Sequence, residues 1–336
     1  MARHGKLALS LTLGQARLQP AQPATDDTLW LIYSNTKVIT ACAIWLLVEA
    51  GACRFADPVA AHIPEFAANG KGDVTILQLL THQGGFPNAV VPSEAWTDHA
   101  RVRKAVCDFT LEYTPGSRVS YHGLSAHWVA GVLIEALSGQ DYRTFIRTRI
   151  IEPLGLGDEL HLGLTKANQP RAVDMHDAEG SRHTRREEEN TAHFQEAGLP
   201  AAGGYATARA MAAFYQMLAN GGTLGTVRLL SPRMVSYVTR NFTGDRVDDY
   251  FGMPMHRGIG PHIRGTTETI RGLGTIATPT TFGHSGIGTS YCWADPESGV
   301  SFAYLTNSRV GEPWHSARLD IVSNCVHAAI NQGETR

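Results

Sequence analysis

A serine and a lysine three residues apart, at the start of an apolar helix, form the first pair in the chain that could do chemistry together. The pair is Ser34 and Lys37, and the apolar run that follows, with Gly51 as its stop, predicts a buried helix. Side chains one helical turn apart share a face, so the hydroxyl and the amine are expected to be neighbours. A serine hydroxyl becomes a good nucleophile when a neighbouring base takes its proton, and burial in apolar surroundings lowers the pKa of an amine enough for that task. The spacing predicts a serine nucleophile, although a helix-capping serine beside a snorkelling lysine is equally compatible with this pair alone.

Composition limits the classes of function before any further motif is considered. The 336 residues suffice for one large or two ordinary domains, and a hydrophobic content of 43% is ordinary for a globular protein with a real core. The formal net charge of -2 gives no electrostatic basis for binding nucleic acid or an anionic membrane. No apolar run approaches membrane-spanning length, and residues 7–13 are too short and too strand-like for a signal peptide. We therefore expect a soluble cytoplasmic protein that binds neither nucleic acid nor membrane.

The spacing of cysteine and histidine gives no sign of a metal site. The five cysteines and fifteen histidines are dispersed, and none forms a Cys-x-x-Cys or His-Glu-x-x-His pattern. An odd number of cysteines without local pairing favours free thiols in a reducing compartment. We expect no metal and no cofactor, although spacing does not test ligands that lie far apart in sequence. The cysteines are Cys42, Cys53, Cys107, Cys292 and Cys325.

Strand-like segments lie at both ends of the chain and helical segments in the middle. Residues 6–18 alternate like a half-buried strand, and residues 28–33 form a short apolar strand that leads to Ser34. Thr75 is suited to cap a short helix, and a second apolar helix is expected over residues 125–137. This order predicts an α+β fold, with an antiparallel sheet built from both termini around an inserted helical region. The remaining expected elements are C-terminal strands at 250–260, 281–283, 288–294 and 300–306, a turn at 295–299 and a helix at 313–331.

The most highly charged segment lies at residues 181–190. It carries three arginines and three glutamates within ten positions. Mixed charge of this kind is typical of a solvated loop or an exposed helix. We interpret the segment in that way rather than as a binding patch.

Six short stretches occur in a fixed order along nearly the whole chain. They are residues 34–37 (SNTK), 76–87 (ILQLLTHQGGFP), 115–121 (PGSRVSY), 152–156 (EPLGL), 203–207 (GGYAT) and 282–289 (FGHSGIGT). The ordered set resembles the serine β-lactamase-like family, which includes class C β-lactamases, D-amino-acid peptidases and amidases, and family VIII carboxylesterases. The resemblance implies a β-lactamase/transpeptidase-like α+β fold, with an antiparallel sheet flanked by helices plus a helical domain. It also implies a discontinuous α/β domain of residues 1–56 and 206–336, a mostly helical domain of residues 57–205, and an active site in the cleft between them.

The same resemblance implies a role for each residue that matches a family motif. Ser34 matches the acylated nucleophile, Lys37 its proton partner, and Tyr121 the tyrosine that shuttles the proton between serine, lysine and leaving group. The main-chain N–H groups of Ser34 and Ile287 would form the oxyanion hole. The expected substrate-binding residues are His284 and Gly286 of the third motif, together with His122, which is placed in the pocket wall by position alone.

Two departures from the family pattern bear on the substrate. Gly123 stands where lactam-active members usually carry an asparagine that grips the substrate carbonyl, and His284 stands where they usually carry a lysine. Histidine is largely neutral at pH 7, so the permanent positive anchor for a carboxylate is missing. Both changes favour neutral esters or small amides over penicillin-type substrates, although histidine also occurs here in D-amino-acid peptidases. A third departure is that members usually open with a helix and a strand before the stretch matching residues 5–13.

A nucleophile-elbow hydrolase is disfavoured because Gly-x-Ser-x-Gly is not completed around Ser285, where Ile287 holds the fifth position. We therefore expect a serine hydrolase that acts through an acyl-Ser34 intermediate, most simply a carboxylesterase on short-chain esters. A D-stereospecific aminopeptidase or amidase and a weak β-lactamase are the alternatives within the enzyme class. A catalytically silent binding protein on the same scaffold is the alternative of another class. The expected partner is a small-molecule ester or amide, and the oligomeric state stays open.

Overall fold

Two long apolar helices, α1 (Thr36–Glu49) and α4 (Ser125–Ser138), pack against each other at the centre of the fold. The computed structural model describes residues 1–268 and 272–330. The second helix ends at Gly139, whose φ of 71° is the left-handed conformation of a helix C-terminus. The helices are α1 (Thr36–Glu49), α2 (Ile76–Leu80), α3 (His99–Asp108), α4 (Ser125–Ser138), α5 (Tyr142–Ile146), α6 (Ala192–Ala197), α7 (Ala208–Ala219), α8 (Pro232–Val238) and α9 (Trp314–Ala328).

The strands are short and fall into six sheets within the described part of the chain. They are β1 (Ala2–Arg3), β2 (Lys6–Leu7), β3 (Gln15–Leu18), β4 (Ala21–Pro23), β5 (Trp30–Leu31), β6 (Leu160–Leu162), β7 (His176–Glu179), β8 (Arg182–Arg185), β9 (Gly204–Ala206), β10 (Thr223–Leu224), β11 (Val227–Arg228), β12 (Val247–Asp248), β13 (Met253–Pro254), β14 (His262–Ile263), β15 (Phe282–Ser285), β16 (Tyr291–Asp295), β17 (Val300–Tyr304) and β18 (Ser308–Arg309).

The main sheet is built from both ends of the chain. Its order is β14-β15-β16-β17-β1-β2, and its pairs are antiparallel, so the α+β prediction is confirmed. Successive residues of a strand face opposite sides of the sheet. On one side of the main sheet, Trp293 Nε1 of β16 donates to Ser323 Oγ of α9 at 3.1 Å. On the other side, Ser301 Oγ, opposite Ala294 in the register, donates to the carbonyl of Ala212 in α7 at 2.8 Å. The two helices therefore cover the two faces of the sheet.

The prediction of one half-buried strand over residues 6–18 is wrong for residues 8–14. Strand β2 ends at Leu7, β3 begins at Gln15, and the residues between them form no strand. Leu9, Leu11 and Leu13 are exposed, so the alternation does not mark a buried face there. The physical reason is that β2 is the edge strand of the main sheet, with no further strand for the chain to pair with. The strand expected over 250–260 is likewise reduced to β13.

Other predicted elements are confirmed with small changes of length. Thr75 caps α2 through a reciprocal capping box with Gln78. The turn between β16 and β17 lies at residues 296–299, as expected. The predicted C-terminal helix is α9, and the last residue of that prediction, 331, lies outside the described residues.

Among the residues that the structure describes, no helix combines the length and the apolar character needed to cross a membrane. The division into two domains at residues 57 and 205 stays a proposal.

A buried lysine outside the site offers a test of the helical region. Lys71 has no exposed surface, and its three N–H donors reach the carbonyls of Ala68 at 2.7 Å, of Cys107 at 2.9 Å, and of Phe109. We expect Lys71→Met to lower the free energy of unfolding by about 2–4 kcal/mol, because it leaves these carbonyls buried without donors. Urea unfolding followed by circular dichroism measures the change.

The matched control for this prediction is Lys104→Met. Lys104 pairs with Asp108 on the surface of α3, and its side chain is 77% exposed. Loss of an exposed, solvent-screened pair is expected to change the free energy of unfolding far less than Lys71→Met does. Equal effects of the two substitutions would contradict the role assigned to Lys71.

Candidate active site

Ser34 lies in a tight turn between strand β5 and helix α1. Tyr33, directly before it, has a positive φ of 43°, a conformation that a bulky side chain adopts only where the surroundings hold it. The Tyr33 hydroxyl donates to Glu189 Oε1 at 3.1 Å, and Arg186 Nε donates to the same oxygen at 2.7 Å. Burial is the main cause that raises the pKa of Tyr33, followed by the Glu189 charge, so the hydroxyl stays a donor. This buried bond fixes the turn that presents Ser34.

The interpretation of residues 181–190 as a solvated segment is correct only in part. The β7–β8 hairpin that carries Arg182 and Arg185 is largely exposed. Glu189, by contrast, is 6% exposed and contacts the residue next to the nucleophile. A run of three glutamates gives no signal for which of them is buried.

Lys37 contacts the Ser34 hydroxyl directly. Its Nζ donates to Ser34 Oγ at 2.9 Å and to the carbonyl oxygen of Ala201 at 3.1 Å. The side chain is fully buried, and burial lowers the pKa of the amine well below its usual range. The positive charge of Arg257 lowers this pKa further, and no carboxylate in the described part of the chain opposes that effect through an ion pair with Lys37. The neutral amine, which can accept a proton from Ser34, is therefore favoured.

Tyr121 reaches the same hydroxyl from the loop before α4. Its phenol shares a hydrogen bond with the Ser34 side chain, and Lys37 Nζ lies 5.1 Å from the centroid of its ring. Burial raises the pKa of Tyr121 to about 12, although the Ser34 hydrogen bond and the charge of Arg257 act in the opposite direction. The phenol is therefore protonated at neutral pH and available as a donor. The structure thus brings together the three residues predicted to be catalytic.

The turn after β15 docks beside the nucleophile. Gly286 donates its N–H to the carbonyl of Ser290 at 2.8 Å, and Ser290 Oγ lies 3.4 Å from the carbonyl oxygen of Ile32. A side chain at Gly286 would approach that oxygen to 2.8 Å, so only glycine allows this close docking. Within the residues that the structure describes, the N–H of Ile287 has no main-chain acceptor outside the helices and strands. The role of the Ser34 and Ile287 N–H groups as an oxyanion hole stays a prediction.

The His284 side chain packs in the interior beside Tyr121 rather than at the surface of the site. Its side chain on β15 is 1% exposed, and its ring centroid lies 6.1 Å from that of Tyr121. Nδ1 lies 2.8 Å from the carbonyl oxygen of Ser285, and Nε2 has no partner among the described residues. Burial, followed by the charge of Lys37, lowers the pKa of His284 well below its usual range. The ring is therefore neutral and supplies no positive charge, and its predicted contact with the substrate stays a prediction.

The structure places His122 in the interior, and its expected position in the pocket wall stays a prediction. Its ring is fully buried, with Nε2 accepting the N–H of Phe86 at 3.2 Å and Nδ1 lying 2.7 Å from the carbonyl oxygen of Ser120. Both ring nitrogens are thus used within the protein, and burial lowers the pKa of His122 to about 4. The residue anchors the loop that carries Tyr121 and leaves no polar atom for a substrate.

Two further groups beside the site were not predicted. One is the Ala201 carbonyl, a main-chain group that no side-chain pattern can reveal. The other is a buried ion pair, in which Arg257 Nη2 and Asp248 Oδ2 are 2.5 Å apart and both side chains are almost fully buried. Both residues lie in a segment whose sequence resembles an ordinary polar loop, so no signal distinguishes them in advance.

A group of possible metal ligands lies away from Ser34. The side chains of His99, Glu135 and Asp141 place one ligand atom each within 4.8 Å of one another. Arg143 Nη2, however, lies 2.7 Å from Asp141 Oδ2 and 3.0 Å from His99 Nε2. These contacts form an ion-pair network around a guanidinium, so the cluster has no independent feature that indicates a metal.

Comparison with known proteins identifies the family of this chain. The sequence profile of the family described as Beta-lactamase matches residues 1–323. The chain belongs to this family. Esterase/beta-lactamase LipL of Mycobacterium tuberculosis is 30% identical to it over 316 residues, which cover 85% of this chain and 70% of that protein. A protein of Escherichia coli O157:H7 named "Putative D-alanyl-D-alanine carboxypeptidase" is 28% identical over 357 residues, covering 93% of this chain and 80% of that protein.

A solved structure of a family VIII carboxylesterase is also similar to this beta-lactamase family member. It superposes with a TM-score of 0.78 at 26% identity, covering 92% of this chain and 87% of that one. The family resemblance and the β-lactamase/transpeptidase-like fold predicted from the sequence are thereby confirmed. The protein is a member of a serine hydrolase family with esterase and carboxypeptidase-like relatives.

Proposed function

We propose that this protein is a carboxylesterase that hydrolyses short-chain esters through an acyl-Ser34 intermediate. The observation that carries the proposal is the 2.9 Å contact between the buried Lys37 amine and the Ser34 hydroxyl. Burial lowers the pKa of this amine well below its usual range, which favours the neutral form that can accept a proton, and the hydroxyl it contacts is the group that needs a base.

In the proposed acylation, Ser34 Oγ attacks the carbonyl carbon of the ester while its proton passes to Lys37 Nζ. The N–H groups of Ser34 and Ile287 stabilise the negative charge that develops on the carbonyl oxygen. The Tyr121 phenol gives its proton to the leaving alcohol and is reprotonated from Lys37. Water then attacks the acyl-Ser34 ester by the reverse path, and free Ser34 and a carboxylic acid result.

The preference for neutral substrates is supported by the charges around the site. His284 is neutral because burial lowers its pKa, and Arg257 is paired with Asp248. Neither residue therefore offers a free positive charge to a substrate carboxylate. The names of two similar proteins, an esterase/beta-lactamase and a family VIII carboxylesterase, point to the same class.

A D-stereospecific peptidase or amidase is the second candidate, supported by the similarity to a protein named as a D-alanyl-D-alanine carboxypeptidase. The test is a panel of p-nitrophenyl acetate, p-nitrophenyl butyrate, D-alanine p-nitroanilide and a chromogenic cephalosporin, each assayed for kcat/KM. We expect the esters to give the highest values. A higher value for the anilide or the cephalosporin would overturn the ester assignment and leave the nucleophile assignment intact.

The wall beside Tyr121 gives a prediction about the alcohol part of the substrate. Tyr250 is 64% exposed, and its ring centroid lies 5.7 Å from that of Tyr121 and 4.9 Å from that of Phe251. Since Tyr121 protonates the leaving alcohol in the proposed mechanism, an aromatic alcohol would lie against this exposed ring. We expect Tyr250→Ala to lower kcat/KM for phenyl acetate about 5–10-fold, because one aromatic contact is lost.

Ethyl acetate serves as the comparison substrate, since its alcohol is too small to stack, and its kcat/KM is expected to change about 2-fold at most. The control variant is Tyr237→Ala, which removes a tyrosine that packs on Phe55 and Phe242. Equal losses on both esters in Tyr250→Ala would rule out a role in alcohol selection.

A further inference from the structure

A buried ion pair links the loop that carries Tyr121 to the third motif, residues 284–286. Arg257 Nη2 and Nε donate to Asp248 Oδ2 at 2.5 and 3.2 Å. The Arg257 side chain is 1% exposed and that of Asp248 is fully buried. Placing two charges in the protein interior is costly, and such pairs persist where good geometry and further hydrogen bonds satisfy them.

The carboxylate of this pair holds the main chain at Tyr121. Asp248 Oδ1 accepts the N–H of Tyr121 at 3.1 Å and that of Tyr250 at 3.1 Å. The neighbouring N–H of Asp249 donates to the carbonyl of Val119 at 2.8 Å, and the two segments meet there in an isolated parallel bridge between Val119 and Asp248. The loop that carries Tyr121 is therefore fixed by the segment that carries Asp248.

The guanidinium of the pair lies behind the catalytic side chains. Arg257 Cζ is 5.0 Å from the centroid of the Tyr121 ring and 5.5 Å from that of Phe251. Its Nη1 contacts His262 Nε2, and the His262 ring centroid lies 4.1 Å from that of His284 on β15. Arg257 thus contacts both Tyr121 and a histidine that packs on His284 of the third motif.

We propose that Asp248 and Arg257 are positioning residues for catalysis: Asp248 fixes the main chain of Tyr121, and Arg257 places a permanent positive charge behind Ser34, Lys37 and Tyr121. This inference rests on the proposed function, because it assigns the pair a role in the activation of Ser34. The charge of a guanidinium does not depend on pH in the range of enzyme assays.

The direction of the effect follows from the charges around Tyr121 and Lys37. Arg257 favours the neutral amine at Lys37 and the phenolate form of Tyr121, so it lowers the pKa of both groups. The two buried histidines nearest Tyr121 are neutral, since burial lowers the pKa of each. The titratable or charged groups around Lys37, Tyr121 and Arg257 are His82, His122, His127, Asp248, Tyr250, His262 and His284.

The test is the pH profile of kcat/KM for p-nitrophenyl acetate in Arg257→Gln. Without the positive charge, Lys37 keeps its proton to a higher pH, so the free base and the activity appear only at higher pH. We expect the rising limb of the profile to move up by about one pH unit. Arg257→Lys, which keeps the charge, is expected to restore the limb to within about 0.3 units of wild type while lowering kcat, because one amine cannot replace the forked contacts.

The matched control is Arg118→Gln, which removes an exposed ion pair between Arg118 and Asp249, 3.8 Å apart, on the same pair of segments. Its profile should coincide with that of the wild type. A folded Arg257→Gln with an unmoved limb would overturn the proposal, because a purely structural role lowers the rate at every pH equally. If Arg257→Gln does not fold, Asp248→Asn serves instead: it keeps the guanidinium and removes the opposing carboxylate, so the rising limb should move to lower pH, and a folded Asp248→Asn with an unmoved limb would equally overturn the proposal.

A second readout separates this inference from the proposed function. The rate at which a small alkyl fluorophosphonate labels Ser34, followed by intact mass, depends on activation of the hydroxyl and not on any ester specificity. If the wild type hydrolyses no ester, the proposed function fails, while the pH dependence of labelling in Arg257→Gln still decides the role of the pair.

Discussion

Ser34→Ala is expected to lower kcat/KM for p-nitrophenyl acetate by about 10⁴-fold or more, because no other group can form the acyl intermediate. The same substitution should abolish the single mass adduct that a small alkyl fluorophosphonate forms with the wild-type protein. Both outcomes follow from the contact of one hydroxyl with Lys37 Nζ at 2.9 Å and with Tyr121. Steady-state hydrolysis and intact-mass spectrometry measure them.

The control for labelling is Ser181→Ala, which removes a serine on the exposed turn of the β7–β8 hairpin and should leave both readouts unchanged. An adduct that persists in Ser34→Ala would place the nucleophile elsewhere. No adduct on the wild-type protein would favour the other class of function, a binding protein on this scaffold.

Lys37→Met is expected to lower kcat/KM for the same ester by about 10³-fold or more, because it removes the proton acceptor and leaves the nucleophile in place. The rate at which the fluorophosphonate labels Ser34 should fall by a similar factor. The substitution is nearly isosteric and the site is fully buried, so the variant should fold. Rates of hydrolysis and of labelling, each at several pH values, measure the effect.

The stability of this variant gives an independent check with a defined sign. Because the pKa of Lys37 is lowered in the folded state, the unfolded state binds more protons between that value and the usual pKa of lysine. The stability of the wild type therefore rises with pH in this window relative to that of Lys37→Met, which has no such group. Lys104→Met, the exposed control, should retain wild-type activity. Full activity in Lys37→Met would show that another base serves Ser34.

The parts of the site that depend on local spacing were predictable from the sequence. Ser34 and Lys37 are one turn apart at the start of a helix, and a helix of that composition places them on one face whatever surrounds it. Thr75 and Gln78 form their capping box for the same reason, since the hydrogen bonds lie within four residues. Tyr121 could be placed only through the resemblance, because nothing local brings a loop 84 residues further on to Lys37.

The parts that depend on tertiary contacts were not predictable. Asp248 and Arg257 form an ordinary polar stretch in sequence, and their burial follows from the docking of their segment beside Val119. Glu189 was indistinguishable from its two exposed neighbours until the position of Tyr33 was known. The alternation of residues 6–18 failed for the opposite reason, since a strand pattern forms a strand only where a partner edge is present.

The loop around Tyr250 separates what must stay constant from what is free to vary. The main-chain N–H of Tyr250 donates to the buried Asp248, whereas the Tyr250 side chain is largely exposed beside the proposed catalytic tyrosine. Evolution, or a saturation library at this single position, could therefore exchange the side chain without moving the backbone on which Tyr121 depends. New preferences for the alcohol would then arise by one substitution at a time, with the machinery for acyl transfer inherited intact.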